Sequence, residues 1–213
     1  QRPRPVIRGL FFVDGGDVPD VALDPLLLLS ALHPEGSIFS VCAFDGQNGP
    51  AKFVAFATSP AEGYALARQA DACGDYIGVF HLVPNLKKKP ERGRGKAEDA
   101  ADARAVWADV DATSYDPFPA AIQVLVARGM GAKGAKDRAW NEAEESIRTA
   151  AKDAARAAIE ALPIGPPSAL VDSGRGWHPY WILDVAARGD DLLLVRGVNE
   201  RVAGVLKCDS CWD

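Results

Sequence analysis

Short apolar stretches of strand character alternate along this chain with longer stretches at helical spacing. Residues 37–44 and 51–58 are apolar and rich in β-formers, and Asp45-Gly46-Gln47-Asn48-Gly49-Pro50 between them predicts a hairpin. Ser59-Pro60-Ala61-Glu62 then opens a helix, with a capping hydroxyl, a proline in the first turn and an acid near the positive helix end. That helix runs to about Ala72, and Gly74 closes it. Residues 75–83 read as a strand, 97–104 as a short helix and 105–112 as a buried strand. The stretch 135–162 is rich in alanine, glutamate, lysine and arginine, which predicts one long helix. Its inward face would carry Ile147, Ala151, Ala154, Ala158 and Ile159. Strands at 169–172 and 178–185 and a helix at 190–205 complete the series. Leu26 to Leu32 forms the apolar side of a short helix, while residues 1–20, with Pro3, Pro5, Gly15, Gly16 and Pro19, are expected to be loosely ordered. Strands that pair as a sheet with helices packed against it give an α+β architecture.

A chain of 213 residues with 48% hydrophobic and 25% charged residues fits a single domain with a sizeable core. No run approaches the ~18 apolar residues of a membrane span, and nothing directs export, so the cytoplasm is the expected location and no membrane is an expected partner. The net charge of −5 at first argues against nucleic-acid binding, yet the distribution is uneven. Lys87, Lys88, Lys89, Arg92, Arg94 and Lys96 crowd one segment against the single acid Glu91. Pro90, Gly93 and Gly95 make that segment a cationic loop suited to a phosphate backbone. A solvated surface loop is the plainer reading of the same residues. Of the four cysteines, only Cys208 and Cys211 are close in sequence, and without a second pair they do not make a zinc site. Cys42 and Cys73 read as small core residues.

Two motifs carry chemistry. In Ala105-Val106-Trp107-Ala108-Asp109-Val110-Asp111-Ala112, two acids stand one residue apart on an apolar strand. Residues i and i+2 of a strand share a face roughly 7 Å apart, at about 3.3 Å per residue. Two carboxylates held together in poor solvation repel unless a cation sits between them, and Mg²⁺ or Mn²⁺ suits hard oxygen ligands. The alternative is a strand end whose acids face water or cap a turn. The second motif is Ser173-Gly174-Arg175-Gly176-Trp177-His178-Pro179-Tyr180-Trp181. Its hydroxyl, guanidinium and imidazole all bind phosphate oxygens. Its plainer reading is a tight hairpin turn followed by a half-buried histidine.

In that order, these motifs resemble the archaeo-eukaryotic primase superfamily, specifically the primase-polymerase domains of phage and plasmid replication proteins. Ala108-Asp109-Val110-Asp111 matches the family's hydrophobic-Asp-hydrophobic-Asp strand, and Ser173 to His178 matches its Ser-Gly-Arg-Gly-x-His form. The third motif, a hydrophobic residue before Asp, is best matched by Asp209, with Asp213 as its rival. Arg92-Gly93-Arg94-Gly95-Lys96 is similar to the family's basic glycine-rich loop. The resemblance spans residues 35–213, with 1–34 as an N-terminal segment and 113–165 as a largely helical insertion. The family's third motif is usually followed by an arginine-rich, Pro-Gly-Thr-containing stretch. The sequence reaches Asp213 without one, so a longer replication protein is expected.

The resemblance implies a modified RNA-recognition-like sheet with an adjoining α/β lobe, and template-directed nucleotidyl transfer by two metal ions. Asp109, Asp111 and Asp209 would hold Mg²⁺ or Mn²⁺. Ser173, Arg175 and His178 would bind the triphosphate of an NTP or dNTP, with His178 counted among the catalytic groups. Arg92, Arg94 and Lys96 would steady a DNA template or primer, and Trp177 would either stack a base or belong to the core. A helicase domain on the same full-length chain is a further implied partner. Three other classes remain: a metal-dependent nuclease or phosphohydrolase using the same carboxylates, a non-catalytic single-strand binding module, and, more distantly, a sugar transferase with an Asp-x-Asp metal site.

Overall fold

The computed structural model describes residues 8–11, 22–44, 53–73, 78–81 and 84–208. Its strands and helices follow in the order β1 (Arg8–Phe11), β2 (Ala22–Leu23), α1 (Pro25–Leu32), β3 (Phe39–Phe44), β4 (Phe53–Ala57), α2 (Pro60–Cys73), β5 (Gly78–His81), β6 (Asn85–Leu86), β7 (Ala100–Trp107), β8 (Val110–Asp111), α3 (Phe118–Ala127), α4 (Ala132–Glu142), α5 (Glu145–Glu160), β9 (Ala169–Asp172), β10 (Gly176–Arg188) and α6 (Asp191–Leu206). Seven strands form one sheet in the order β2-β1-β9-β10-β7-β6, with β8 also on β10, and β4-β3-β5 form a second sheet. The paired strands run antiparallel throughout. The architecture is α+β, as the alternation of patterns predicts. Among the described residues, no helix is long and apolar enough to cross a membrane.

The main core lies where α5, α6 and α1 cover the large sheet. Val106, Trp107, Val110, Leu170, Trp177 and Trp181 meet Leu28, Leu32, Ile159, Val202 and Leu206 there. Helix α5 buries Ala151, Ala155 and Ile159, a stripe repeating every fourth residue that packs one face of a 3.6-residue helix. Ala154, expected inside, is exposed, because the buried stripe runs through Ala155 instead. A smaller cluster of Leu29, Phe39, Val41 and Ala57 joins α1 and α2 to the second sheet. A buried polar knot ties α1 to the main sheet. His33 Nδ1 lies 2.7 Å from Asn85 Oδ1, and Asn85 Nδ2 donates to the Leu32 carbonyl at 3.1 Å and to Asp102 Oδ1 at 2.7 Å. The His33 ring also stacks on Phe39, with centroids 3.8 Å apart.

Three expectations are corrected. Residues 100–104 are strand rather than helix, because Ala103 and Asp102 pair with Ala187 and Arg188 of β10. Only Ala97–Asp99 form a helical turn, of 3₁₀ type. The long helix of 135–162 is two helices, since Ala143 and Glu144 take extended backbone angles between α4 and α5. The N-terminal segment is not wholly outside the fold, because Arg8–Phe11 pairs with β9 as a strand of the main sheet.

Candidate functional site

The register between β10 and its neighbours brings the two motifs together. Tyr180 lies opposite Trp107, Trp177 opposite Val110 and Gly176 opposite Asp111, so one unbroken register runs from β7 into β8. Pro179 falls in the middle. The Ala108 N–H donates to the Pro179 carbonyl at 3.3 Å, but proline has no N–H to return, so the ladder has a gap where β7 gives way to β8. Asn199 of α6, itself buried, accepts the Trp107 N–H through Oδ1 at 3.1 Å and fixes the strand just before that gap.

This register sets Asp109 directly across from His178, and Asp109 Oδ1 lies 3.1 Å from His178 Nε2. The His178 side chain is 17% exposed and that of Asp109 61% exposed, so the pair stands at the sheet surface with its acid outward. Partial desolvation pushes the Asp109 pKa up, but the hydrogen bond and charge of His178, with Arg175 and Lys136 nearby, outweigh it. The carboxyl is held below its ordinary value of 3.8.

Asp111 shares the face of Asp109 by strand alternation. One of its oxygens accepts from the Thr113 N–H at 2.9 Å and from the Thr113 hydroxyl at 2.8 Å, capping the short turn that follows. The other accepts from Arg175 Nη2 at 2.7 Å. Arg175 Nη1 meanwhile donates to Asp137 Oδ1 at 2.7 Å, from helix α4. The two acids are thus flanked by Arg175 and His178 of the second motif, and the charge of Arg175 offsets their mutual repulsion.

The turn that presents Arg175 is the β9–β10 hairpin. The Ser173 N–H donates to the Gly176 carbonyl at 3.1 Å, and Gly174 takes a φ of +87° that a side chain would strain. Asp172 Oδ1 accepts from the Gly174 N–H at 2.7 Å and from Lys152 Nζ at 2.6 Å, which anchors the turn to α5. Gly176 is needed for closeness. A Cβ there would sit 1.8 Å from the Val110 carbonyl oxygen. Trp177 is a core residue: it is buried, its indole N–H donates to the Lys152 carbonyl at 2.9 Å, and Lys152 Nζ lies 4.9 Å from the ring centroid. Base stacking by Trp177 is set aside on that ground.

The carboxylates offer the hard oxygens that Mg²⁺ or Mn²⁺ prefers, and the exposed Asp109 suits a hydrated ion. Each Asp111 oxygen already has a donor, so a cation there would share or displace the Arg175 bond. Among the described residues, no group of three His, Cys, Asp or Glu side chains is placed to hold a metal. Asp209 and Asp213 lie outside the described residues, as does Cys211.

The basic loop is not at this site. Lys87 N–H donates to the Asp99 carbonyl, and Asn85 pairs with Asp102 near the start of β7. Asp109 lies seven residues further along that line, roughly 23 Å at about 3.3 Å per residue. Lys89 Nζ leans over the Phe56 ring of β4, 5.4 Å from its centroid, while Arg92 and Lys96 are exposed and Arg94 is half-buried. Sequence reasoning passed over Asp137, Lys136, Lys152, Asp172 and Asn199. Their charges or amides sit in ordinary helical or strand contexts, and no motif marks them. Compared with known protein families, curated proteins and solved structures, the chain matches none.

Proposed function

We propose that the protein carries out template-directed nucleotidyl transfer, as a DNA primase or polymerase that uses Mg²⁺ or Mn²⁺. The observation that carries this reading is the cross-strand pairing of Asp109 with His178 and of Asp111 with Arg175. It joins an acidic pair to a turn that carries a guanidinium, an imidazole and a hydroxyl, groups suited to phosphate oxygens. A divalent cation held here would supply Lewis acidity for an attacking 3′-hydroxyl and for the charge of a pyrophosphate leaving group. Asp109 and Asp111, with Asp209 as the proposed third ligand, would hold it.

The remaining work falls to the chain's own side chains. Arg175 and His178 donate charge-assisted hydrogen bonds to triphosphate oxygens, and the Ser173 hydroxyl adds another from the turn. Asp109 orients the His178 ring in the absence of nucleotide. The hairpin, anchored by Asp172 and Lys152, holds the backbone that presents these donors, so that the nucleotide is oriented for in-line attack. Arg92, Arg94 and Lys96 contact nucleic-acid backbone away from the reacting ends.

The test is a labelled primer–template reaction with each nucleotide type and either divalent ion, alongside a reaction without primer. Extension that requires nucleotide and metal, and that is lost in Asp109→Ala, supports the reading. Degradation of DNA without nucleotides would assign the site to a nuclease. DNA binding unchanged in EDTA, with no turnover, would make the protein a binding module.

A further inference from the structure

Helix α4 brings to the site an acid that neither motif contains. Arg175 divides its guanidinium between two carboxylates, with Nη1 on Asp137 and Nη2 on Asp111, each at 2.7 Å. The two acceptors differ in setting. Asp111 is 21% exposed and is also held by Thr113, whereas Asp137 is 39% exposed on the surface of α4. Helix α4 has its own anchorage, since Ala139 and Trp140 pack against the cluster of Ala112, Phe118 and Ala151. Asp137 therefore keeps its place whether or not Arg175 stays on Asp111. A planar fork with separate donors can release one acceptor and retain the other. A divalent cation arriving at Asp111 would compete for the oxygen that Nη2 holds and would repel the guanidinium.

We propose that Asp137 is a positioning residue that acts as a pivot. It retains Arg175 through Nη1 while Nη2 exchanges Asp111 for a phosphate oxygen of an incoming polyphosphate. This inference rests on reading Asp109 and Asp111 as carboxylates for a divalent cation. It makes cation and polyphosphate binding mutually reinforcing. Displacing Nη2 from Asp111 frees a phosphate donor, and capture of that donor by phosphate uncovers Asp111, so each ligand favours the other by the same factor. Without Asp137, both arms of the fork are free to settle on Asp111.

Two binding measurements test this: Mn²⁺ affinity from the paramagnetic resonance of the free ion, and calorimetry with inorganic tripolyphosphate in metal-free buffer. Arg175→Ala is expected to tighten Mn²⁺ binding about fivefold beyond Lys136→Ala, a factor typical of a partly exposed ion pair. Lys136→Ala removes the same charge near Asp109 without a hydrogen bond to Asp111, so it controls for bulk electrostatics. Asp137→Ala, which removes the acceptor of Nη1 as well as the charge, is expected to weaken tripolyphosphate binding by about threefold or more. Loss of a negative charge would by itself tighten an anion, so the sign separates the pivot from charge alone. Asp137→Glu restores binding, and thermal melts of each variant check the fold. Equal Mn²⁺ gains in Arg175→Ala and Lys136→Ala overturn the pivot and leave the metal reading standing. So does tripolyphosphate binding in Asp137→Ala that is unchanged or tighter. Failure of the wild-type protein to bind Mn²⁺ overturns both, and is recognised because it precedes any comparison of variants.

Discussion

Replacing Gly176 by alanine adds one methyl group where β10 lies against the backbone of β8. The added carbon would lie 1.8 Å from the Val110 carbonyl oxygen, 2.9 Å from its carbonyl carbon and 3.1 Å from the Asp111 Cα. A relaxed contact needs roughly 3.5 Å, so the two backbones must part by more than about 1 Å, and no side-chain rotation relieves it. Two effects oppose each other. Alanine reduces the freedom of the unfolded chain, which favours folding by about 0.4–1 kcal/mol. Overpacking against rigid backbone costs about 1–3 kcal/mol or more, so the clash wins. Net destabilisation of about 1–2 kcal/mol is expected from urea denaturation, as a lower midpoint with an unchanged slope. The functional cost should be larger than the stability cost. Separating β8 from β10 pulls Asp111 from Arg175, and a displacement of about 1 Å at a reacting centre costs on the order of 10²-fold in rate. Primer extension and Mn²⁺ affinity measured well below the unfolding transition would show it. A Gly176→Ala protein that matches the wild type within about 0.5 kcal/mol, and binds Mn²⁺ equally well, would refute the close-approach argument.

Other consequences are open to direct measurement. Asp111→Ala should abolish primer extension with the circular dichroism spectrum retained; residual polymerisation would remove the central assignment. His178→Ala should mainly raise the apparent KM for nucleotide, and an unchanged KM with a lowered kcat would contradict a binding role. Lys152→Met should destabilise the fold by about 1–3 kcal/mol, because Asp172 would keep the Gly174 N–H but lose its cation. A neutral effect on the melting temperature would show that the anchor is dispensable. The folded pKa of Asp109 is depressed, so its stabilising pairing is complete above the ordinary value of 3.8 and is lost as pH falls through the lowered one. Carboxyl-carbon NMR should give a midpoint below 3.8, and a midpoint at or above it would show that desolvation prevails over His178.

The site was legible in the sequence to the extent that two-residue alternation governs it. Asp109 and Asp111 share a face because they lie on a strand, and the apolar residues around them announce that strand. Their meeting with His178 and Arg175 depends on a cross-strand register spanning more than 60 residues of chain, which local pattern does not encode. Asp137 could not be distinguished in advance, since an acid among lysines and arginines on an alanine-rich helix looks like any solvated residue. The strand at 100–104 was misread because Ala-Ala-Asp-Ala-Arg favours helix intrinsically, and pairing with β10 overrides a weak preference. The break at Ala143 and Glu144 has neither glycine nor proline to mark it. Arg8–Phe11 was hidden by the prolines and glycines around it, although its partner β9 was itself foreseeable.

The knot at Asn85 fixes how α1 is seated on the main sheet. Leu32 and Asp102 take hydrogens from the Asn85 amide nitrogen, which leaves its oxygen facing His33, so the imidazole must carry a proton on Nδ1. Greasy surfaces tolerate small slips; this clasp does not. Sliding β6 by one position would turn Asn85 to the opposite side of the strand and forfeit all three bonds together. It works as a detent, allowing one seating of the end of α1, whose His33 ring stacks on Phe39 of β3, against the sheet that carries Asp109 and refusing the neighbouring ones.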